Sequence, residues 1–92
     1  MSVTYDDIVN AQKAQGDVIR KTSLTFSDTF TQITGSTVYL KNEFEQKTGS
    51  FKLRGAYYKI KTLSEEERKN GVVAASAGNH AQGVAYASAL EK

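Results

Sequence analysis

The sequence predicts an open α/β fold, in which strands and helices alternate along the second half of the chain. Residues 37–41 alternate polar and apolar side chains, with Val38 and Leu40 on one face, as in a half-buried strand. Residues 72–75 form a continuous apolar run bounded by glycine turns, which is typical of a strand covered on both faces in a parallel sheet. A helical pattern follows each strand. Folds of this class bind ligands beyond the carboxyl ends of their strands.

The part of the chain before this alternation is predicted to be mainly helical. A capping box and apolar residues at helical spacing predict a first helix over residues 5–15. Residues 21–24 are predicted to form a loop. Ser27 can cap a short helix over residues 29–33, although the threonines there lower its helix propensity.

Three more helices are predicted after the first strand. One covers residues 51–62 with Ser50 as its N-cap, and a short surface helix begins at a capping box formed by Ser64 and Glu67. The last helix begins at Asn79, which can cap it. The apolar side of the helix over residues 51–62 carries Leu53, Ala56, Tyr57 and Ile60. The side of the last helix predicted to pack closely on a sheet carries Ala81, Val84, Ala85 and Ser88.

The composition indicates one small domain with a thin core. A chain of 92 residues hides only about 60–65% of the surface that its unfolded form exposes. Its 12 basic and 10 acidic side chains are interspersed, which argues against a nucleic-acid or membrane partner. The lack of cysteine fits a reducing compartment, and the polar start does not resemble a signal peptide, so we expect a cytoplasmic protein. Because residues 89–92 lie in a helical pattern without a stop signal, we expect an N-terminal piece of a larger protein.

Lys52 is the first candidate for chemistry. A glycine turn delivers it to the start of the helix over residues 51–62, where the positive end of the helix and a partly buried position would both lower its basicity. An amine of lowered basicity can act as a nucleophile. This stretch alone leaves equally open that Lys52 is a solvated cation in the first helical turn.

The second candidate is the turn Ser76-Ala77-Gly78 and the start of the helix after it. A loop of small residues that leads into a helix presents unpaired backbone N–H groups, which suit a carboxylate or phosphate. Asn79 can direct its amide toward a ligand oxygen, although an ordinary strand-to-helix turn explains the pattern as well. His80 is the single histidine, and a positioning or merely exposed role is more common for such a residue than proton transfer. It has no second ligand to support a metal site, so we expect no metal.

Taken together, the two stretches closely resemble the N-terminal part of the threonine/serine dehydratases. The residues concerned are Lys41-x-Glu43-x-x-Gln46-x-Thr48-Gly-Ser-Phe-Lys52-Leu-Arg-Gly-Ala56 and Ser76-Ala-Gly-Asn-His-Ala-Gln-Gly83. These dehydratases are pyridoxal-phosphate enzymes of the tryptophan-synthase-β fold type (type II). The resemblance covers nearly the whole chain. It implies the N-terminal part of this fold, incomplete at the C-terminus, with residues 1–50 beginning the larger subdomain and residues 51–92 the smaller one.

The resemblance also implies a role for each site residue. Lys52 matches the lysine that binds pyridoxal phosphate covalently, and Phe51 matches the aromatic residue beside the cofactor. Asn79 matches the residue bonded to the ring hydroxyl of the cofactor. The loop that grips the substrate carboxylate matches Ser76, Gly78, Asn79 and His80.

The implied activity is that of a threonine ammonia-lyase, which converts L-threonine to 2-oxobutanoate and ammonia, and L-serine to pyruvate. Serine racemase of the same fold is an alternative, but it has a serine where this chain has Ala77. Threonine and cysteine synthases resemble the chain less, because aspartate usually follows their lysine and Leu53 follows here. A non-catalytic remnant is a further alternative. We expect negligible activity from these 92 residues alone and a homo-oligomer for the full-length protein, and the sequence leaves open a biosynthetic or catabolic role.

Overall fold

Five α-helices and two short strands occur in the computed structural model, which describes residues 2–91. Two single-turn 3-10 helices, Gly16–Val18 and Glu43–Glu45, lie between them. The helices are α1 (Tyr5–Gln15), α2 (Asp28–Thr34), α3 (Lys52–Lys61), α4 (Glu65–Lys69) and α5 (Asn79–Leu90). The strands are β1 (Leu24–Phe26) and β2 (Tyr39–Lys41). None of the helices in the described range is long and apolar enough to cross a membrane.

The five helices of the described residues lie where local sequence signals predicted them, but Ser50 does not cap α3, because Phe51 is its N-cap and no side chain caps it. α1 has the bounds predicted for it, and the Thr4 side chain caps it in a capping box with Asp7. Ser27 caps α2 by accepting a hydrogen bond from the Phe30 N–H at 3.2 Å. Ser64 forms the predicted capping box of α4 with Glu67. These signals succeed because each one links a side chain to a backbone group only three residues away.

The sheet differs from the prediction. β1 and β2 pair antiparallel, with Leu24 opposite Lys41 and Phe26 opposite Tyr39, so Leu24, which was predicted to end a loop, begins a strand. The rings of Phe26 and Tyr39 pack edge to face, 5.6 Å between centroids. β2 lies within the strand predicted over residues 37–41, but its three side chains are all exposed, which contradicts the predicted half-buried face. All side chains of β1 and β2 are exposed, so α2, which joins the two strands, does not cover them.

Residues 72–75 are neither strand nor helix in the structure, so the predicted buried strand is wrong here. The Val73 side chain is 100% exposed. A strand is defined by hydrogen bonds to a neighbouring strand, and among residues 2–91 only β1 and β2 form such a pair. An apolar run without that partner stays open to solvent.

The core lies between α3 and α5. All four apolar residues predicted for α3 are buried, and Leu53 is fully so. Val84 of α5 and Leu63, which follows α3, pack against this cluster. On α5 the buried residues are Gly83 and Ala87, whereas the predicted Ala85 is exposed. The prediction for α5 is therefore only partly right. Ala81, Val84 and Ser88 are half-buried, but the fully buried residues are others, because α5 packs on helix α3 rather than on a sheet.

Candidate active site

Lys52 is the first residue of α3, as predicted, but its side chain is exposed rather than partly buried. It lies on the same stripe of the helix as the exposed Gly55 and Lys59, while the neighbouring stripe carries the core. The Lys52 ammonium lies 5.3 Å from the centroid of the Phe51 ring, a cation–π distance. Phe51 is itself 59% exposed, so the amine and the ring form one accessible pair.

The start of α5 is built from the second predicted stretch. The chain bends at Ala77 and Gly78, and the Gly78 N–H donates to the Ser76 hydroxyl at 3.3 Å. Gly78 is the N-cap and no side chain caps the helix, so the prediction that Asn79 caps it is wrong. Asn79 is instead the first helical residue, and its side chain is exposed. This end of α5 therefore offers backbone N–H groups and an amide to solvent.

α3 and α5 run parallel, which brings the two predicted stretches to the same end of the helix pair. Gly83, in the first half of α5, lies against the backbone of Lys52 at the start of α3. Farther along both helices, Glu91 at the end of α5 accepts a hydrogen bond from the Tyr57 hydroxyl of α3 at 2.9 Å. Asn79 lies one turn before Gly83, about 6 Å along the axis. The N-termini of two parallel helices both favour negative charge, so their dipoles act together at this end.

His80 lines a groove of about 300 Å³ together with Gly55, Lys59 and Val84. The exposed apolar segment Val72-Val73-Ala74 forms another side of this groove. Lys52 lines neither this groove nor the two larger cavities, of about 490 and 470 Å³. The histidine and the lysine thus belong to adjoining surfaces of the helix pair.

A sequence model of the pyridoxal-phosphate dependent enzyme family matches residues 16–92. The chain belongs to this family. The L-threonine ammonia-lyase of Thermotoga maritima is 58% identical over 88 residues, which are 96% of this chain and 22% of that protein. The catabolic L-threonine dehydratase of Escherichia coli is 43% identical over 90 residues, 98% of this chain and 27% of that protein. The chain thus spans about a quarter of the length of these relatives.

Solved structures of type II pyridoxal-phosphate dependent enzymes share the fold of this chain. Maize serine racemase matches 99% of the chain and 29% of its own, with a TM-score of 0.87 and 35% identity. A threonine deaminase from Solanum lycopersicum matches 96% of the chain and 27% of its own, with a TM-score of 0.71 and 38% identity. The predicted fold class is therefore confirmed, even though the described residues contain only a small antiparallel sheet of their own.

The residues of this family member fit pyridoxal phosphate. An accessible primary amine can hold an aldehyde cofactor covalently, and the ring of Phe51 beside it offers a flat apolar surface. Gly83 allows the backbone of Lys52 to approach α5 closely, since a Cβ there would lie 3.3 Å from Lys52 carbonyl atoms. The paired helix N-termini suit an anionic cofactor or substrate.

Polar side chains that were not predicted to have a role link α3 to the preceding loops. The Glu43 carboxylate accepts two hydrogen bonds from the Arg54 guanidinium, at 2.9 Å and 2.8 Å, and one from the Thr22 hydroxyl at 2.7 Å. The Arg54 hydrogen bond is the largest of the effects that lower the pKa of Glu43 to about 2. Glu43 and Arg54 both belong to the stretch from Lys41 to Ala56 that resembles the dehydratases. No local spacing predicts their contact, because they lie in different elements.

Gln46 makes a second connection between the segment before β1 and the segment that leads into α3. Its buried side chain accepts from the Arg20 N–H and donates to the Arg20 carbonyl, both at 2.9 Å. The Lys41 ammonium donates to the Thr22 carbonyl at 2.7 Å. These bonds tie the segment before β1 to the segment that leads into α3. Polar residues of the stretch from Lys41 to Ala56 therefore connect the segment that leads into α3 to the segment before β1.

Proposed function

We propose that this chain is the N-terminal part of a pyridoxal-phosphate dependent threonine ammonia-lyase. The enzyme would convert L-threonine to 2-oxobutanoate and ammonia, and L-serine to pyruvate. The observation that carries the proposal is the parallel pairing of α3 and α5, because it gathers the accessible Lys52 amine and the N-terminus of α5 at one end of the structure. Similarity to the ammonia-lyase of Thermotoga maritima supports the choice of reaction.

In this proposal Lys52 has two tasks. Its Nζ atom would hold the cofactor covalently, and the free amine would accept the proton from the α-carbon of the substrate. When bound, pyridoxal phosphate supplies an electron sink that makes this α-proton acidic. The exposed position of Lys52 leaves its amine able to move between these two tasks.

The start of α5 would orient the substrate. The first N–H groups of α5, which follow the bend at Ser76 and Gly78, would favour a carboxylate at this position together with the dipole of α5. The exposed amide of Asn79 would bind the ring hydroxyl of the cofactor, and His80 would contact the substrate carboxylate at the edge of its groove. These contacts would hold the bond from the α-carbon to its proton near the Lys52 amine.

A direct test locates the lysine that carries the cofactor. The full-length protein that contains this chain is loaded with pyridoxal phosphate, reduced with borohydride, digested and analysed by mass spectrometry. We expect the pyridoxyl group on Lys52 and a loss of threonine deamination of roughly a thousandfold in Lys52→Ala. Lys59→Ala is the matched control, because Lys59 lies on the same exposed stripe of α3. A label on another lysine would refute the assignment.

Serine racemase remains a second candidate, since maize serine racemase shares the fold with a TM-score of 0.87. Racemisation needs a group that can return a proton to the opposite face of the α-carbon. The resemblance implies that a serine hydroxyl serves this purpose in the racemases, at the position of Ala77. Alanine has no such hydroxyl, so elimination is the better proposal. Chiral chromatography of reactions with L-serine decides between them, since D-serine is the main product of a racemase and pyruvate is that of an ammonia-lyase.

We also propose how this chain divides between subdomains and how the full-length protein assembles. Residues 1–50 would begin the larger subdomain of the catalytic domain and residues 51–92 the smaller one. The full-length protein would be a homo-oligomer in the cytoplasm. The lack of cysteine agrees with that reducing compartment. The large exposed side chains of β1, α2 and β2 support a covering partner, either another subdomain or another subunit. Sedimentation of the full-length protein tests the oligomeric state.

A further inference from the structure

The ion pair between Glu43 and Arg54 connects the second 3-10 helix to the first turn of α3. Its two hydrogen bonds form a fork, in which Nε and Nη2 of Arg54 each donate to a separate carboxylate oxygen at 2.9 Å and 2.8 Å. Such charge-assisted forks fix orientation as well as distance. The Glu43 side chain is only 17% exposed, and the buried Thr22 fixes it further through a hydroxyl bond at 2.7 Å.

Arg54 is held through its main chain as well. Its N–H donates to the Phe51 carbonyl at 3.1 Å, and its carbonyl accepts from the Gln15 side chain at 2.9 Å. One residue therefore links α1, the second 3-10 helix and the first turn of α3. Because the turn from Phe51 to Arg54 includes Lys52, whatever holds Arg54 also sets the direction in which the Lys52 side chain leaves the helix.

Lys52 needs such support because its own contacts are weak. Its N–H makes one long hydrogen bond, to the Ser50 hydroxyl at 3.4 Å, and the first turn of a helix lacks the intrahelical bonds that hold later turns. The Lys52 side chain is exposed, so packing does not fix it. The direction of the amine thus depends on the backbone of the first turn.

We propose that Glu43, acting through Arg54, is a positioning residue that aims Lys52 at the cofactor. This inference rests on the proposed function, in which the Lys52 amine reacts. Glu43 touches neither the amine nor the reacting atoms. Loss of its charge would let the first turn of α3 shift, and a misplacement of about 1 Å at a reacting group costs roughly a hundredfold in rate.

Glu45 provides a matched control. It lies in the same 3-10 helix, and its carboxylate accepts hydrogen bonds from the Ser23 N–H and hydroxyl at 2.9 Å and 2.6 Å. Both glutamates thus bind the segment that precedes β1, but only the Glu43 carboxylate binds α3. A purely structural role of these bonds would make Glu43→Gln and Glu45→Gln behave alike.

The experiment compares the two variants in the full-length protein with pyridoxal phosphate. We expect Glu43→Gln to weaken cofactor affinity about tenfold, to reduce the circular dichroism of the bound cofactor and to lower kcat with little change in KM. Glu45→Gln should stay within about twofold of the wild type in all three quantities. Unfolding midpoints of the cofactor-free proteins show how much each variant loses in stability.

The proposal is overturned if Glu43→Gln keeps the cofactor affinity and dichroism of the wild type, or if it matches Glu45→Gln. Should Glu43→Gln fail to fold, Arg54→Lys decides by the same measurements, because it keeps the charge and removes the fork. A wild-type protein that borohydride does not label at Lys52 would overturn the proposed function and this inference together. If borohydride labels Lys52 of the wild type but the variants Glu43→Gln and Arg54→Lys bind the cofactor as the wild type does, only the positioning role is overturned.

Discussion

Gly83 of α5 lies against the backbone of Lys52 at the start of α3. A Cβ built at Gly83 would be 3.3 Å from the carbonyl carbon and oxygen of Lys52, closer than the usual van der Waals distance. This contact lets the two helices approach at the end where the candidate active site lies. A side chain at position 83 would require α5 and the Lys52 backbone to separate by a few tenths of an ångström.

We therefore predict that Gly83→Ala destabilises the protein. Overpacking costs about 1–3 kcal/mol, and the better helix propensity of alanine returns about 1 kcal/mol, so the net loss should be about 1 kcal/mol. Denaturant unfolding measures it. Gly55→Ala is the control, because nothing lies within 4 Å of a Cβ at this helical glycine. That variant should gain up to about 1 kcal/mol, and equal effects of both substitutions would contradict the close approach of the helices.

The pair of Glu43 and Arg54 predicts a loss of stability in acid. The pKa of Glu43 is lowered from 4.5 to about 2, so the folded state binds its proton less readily than the unfolded state. The stabilisation is present above pH 4.5 and is lost as the pH falls toward 2. We expect a loss of about 1 kcal/mol, since Arg54 is partly exposed and solvent screens the pair.

Comparison of the wild type with Glu43→Gln isolates this contribution. Other carboxylates, such as that of Glu67, also have lowered pKa values and contribute to the acid transition of both proteins. The difference in unfolding free energy between the two proteins should therefore shrink between about pH 5 and pH 2. A difference that stays constant over this range would show that the charge of Glu43 does not stabilise the fold.

The hydroxyl of Tyr57 gives a third prediction. Tyr57 is buried and donates to Glu91 at 2.9 Å, and the Lys61 ammonium lies 3.4 Å from the same carboxylate oxygen. Because Lys61 remains beside the carboxylate, Tyr57→Phe should cost only about 1 kcal/mol. Thermal unfolding measures the loss. Tyr58→Phe, at the half-exposed neighbouring tyrosine, should change stability by less than about 0.5 kcal/mol.

The helices were predictable because their signals are local. Thr4, Ser27 and Ser64 each cap a helix through a partner three residues away, and the 3.6-residue spacing of apolar side chains identified the buried face of α3. The sheet was not predictable to the same extent. β1 has only three residues, and it is a strand because β2 lies beside it rather than because of its own sequence.

The candidate site, too, was predictable only where its features depend on local sequence. The position of Lys52 at the start of α3 followed from the spacing of its neighbours, but the exposure of its side chain depends on which surfaces meet in three dimensions. The buried face of α5 was predicted only in part, because its small residues occur on several sides and only the partner helix decides that Gly83 and Ala87 are buried. The fork from Arg54 to Glu43 joins separate elements, so no periodicity predicts it.

Ala77 provides a test of how the reaction is directed. Its side chain is exposed in the bend before Gly78, so a serine hydroxyl fits there without a steric conflict. Under the proposed function, Ala77→Ser places a group that can carry a proton near the substrate, and D-serine formation from L-serine should rise about tenfold above the wild-type background.

Chiral chromatography of the full-length variants measures this change while the coupled release of pyruvate follows elimination. Ala75→Ser is the control, because this exposed residue lies two positions earlier and outside the bend. It should leave the ratio of D-serine to pyruvate unchanged. Substantial D-serine from the wild type, or an equal rise in both variants, would mean that position 77 does not direct the proton and that elimination is favoured for another reason.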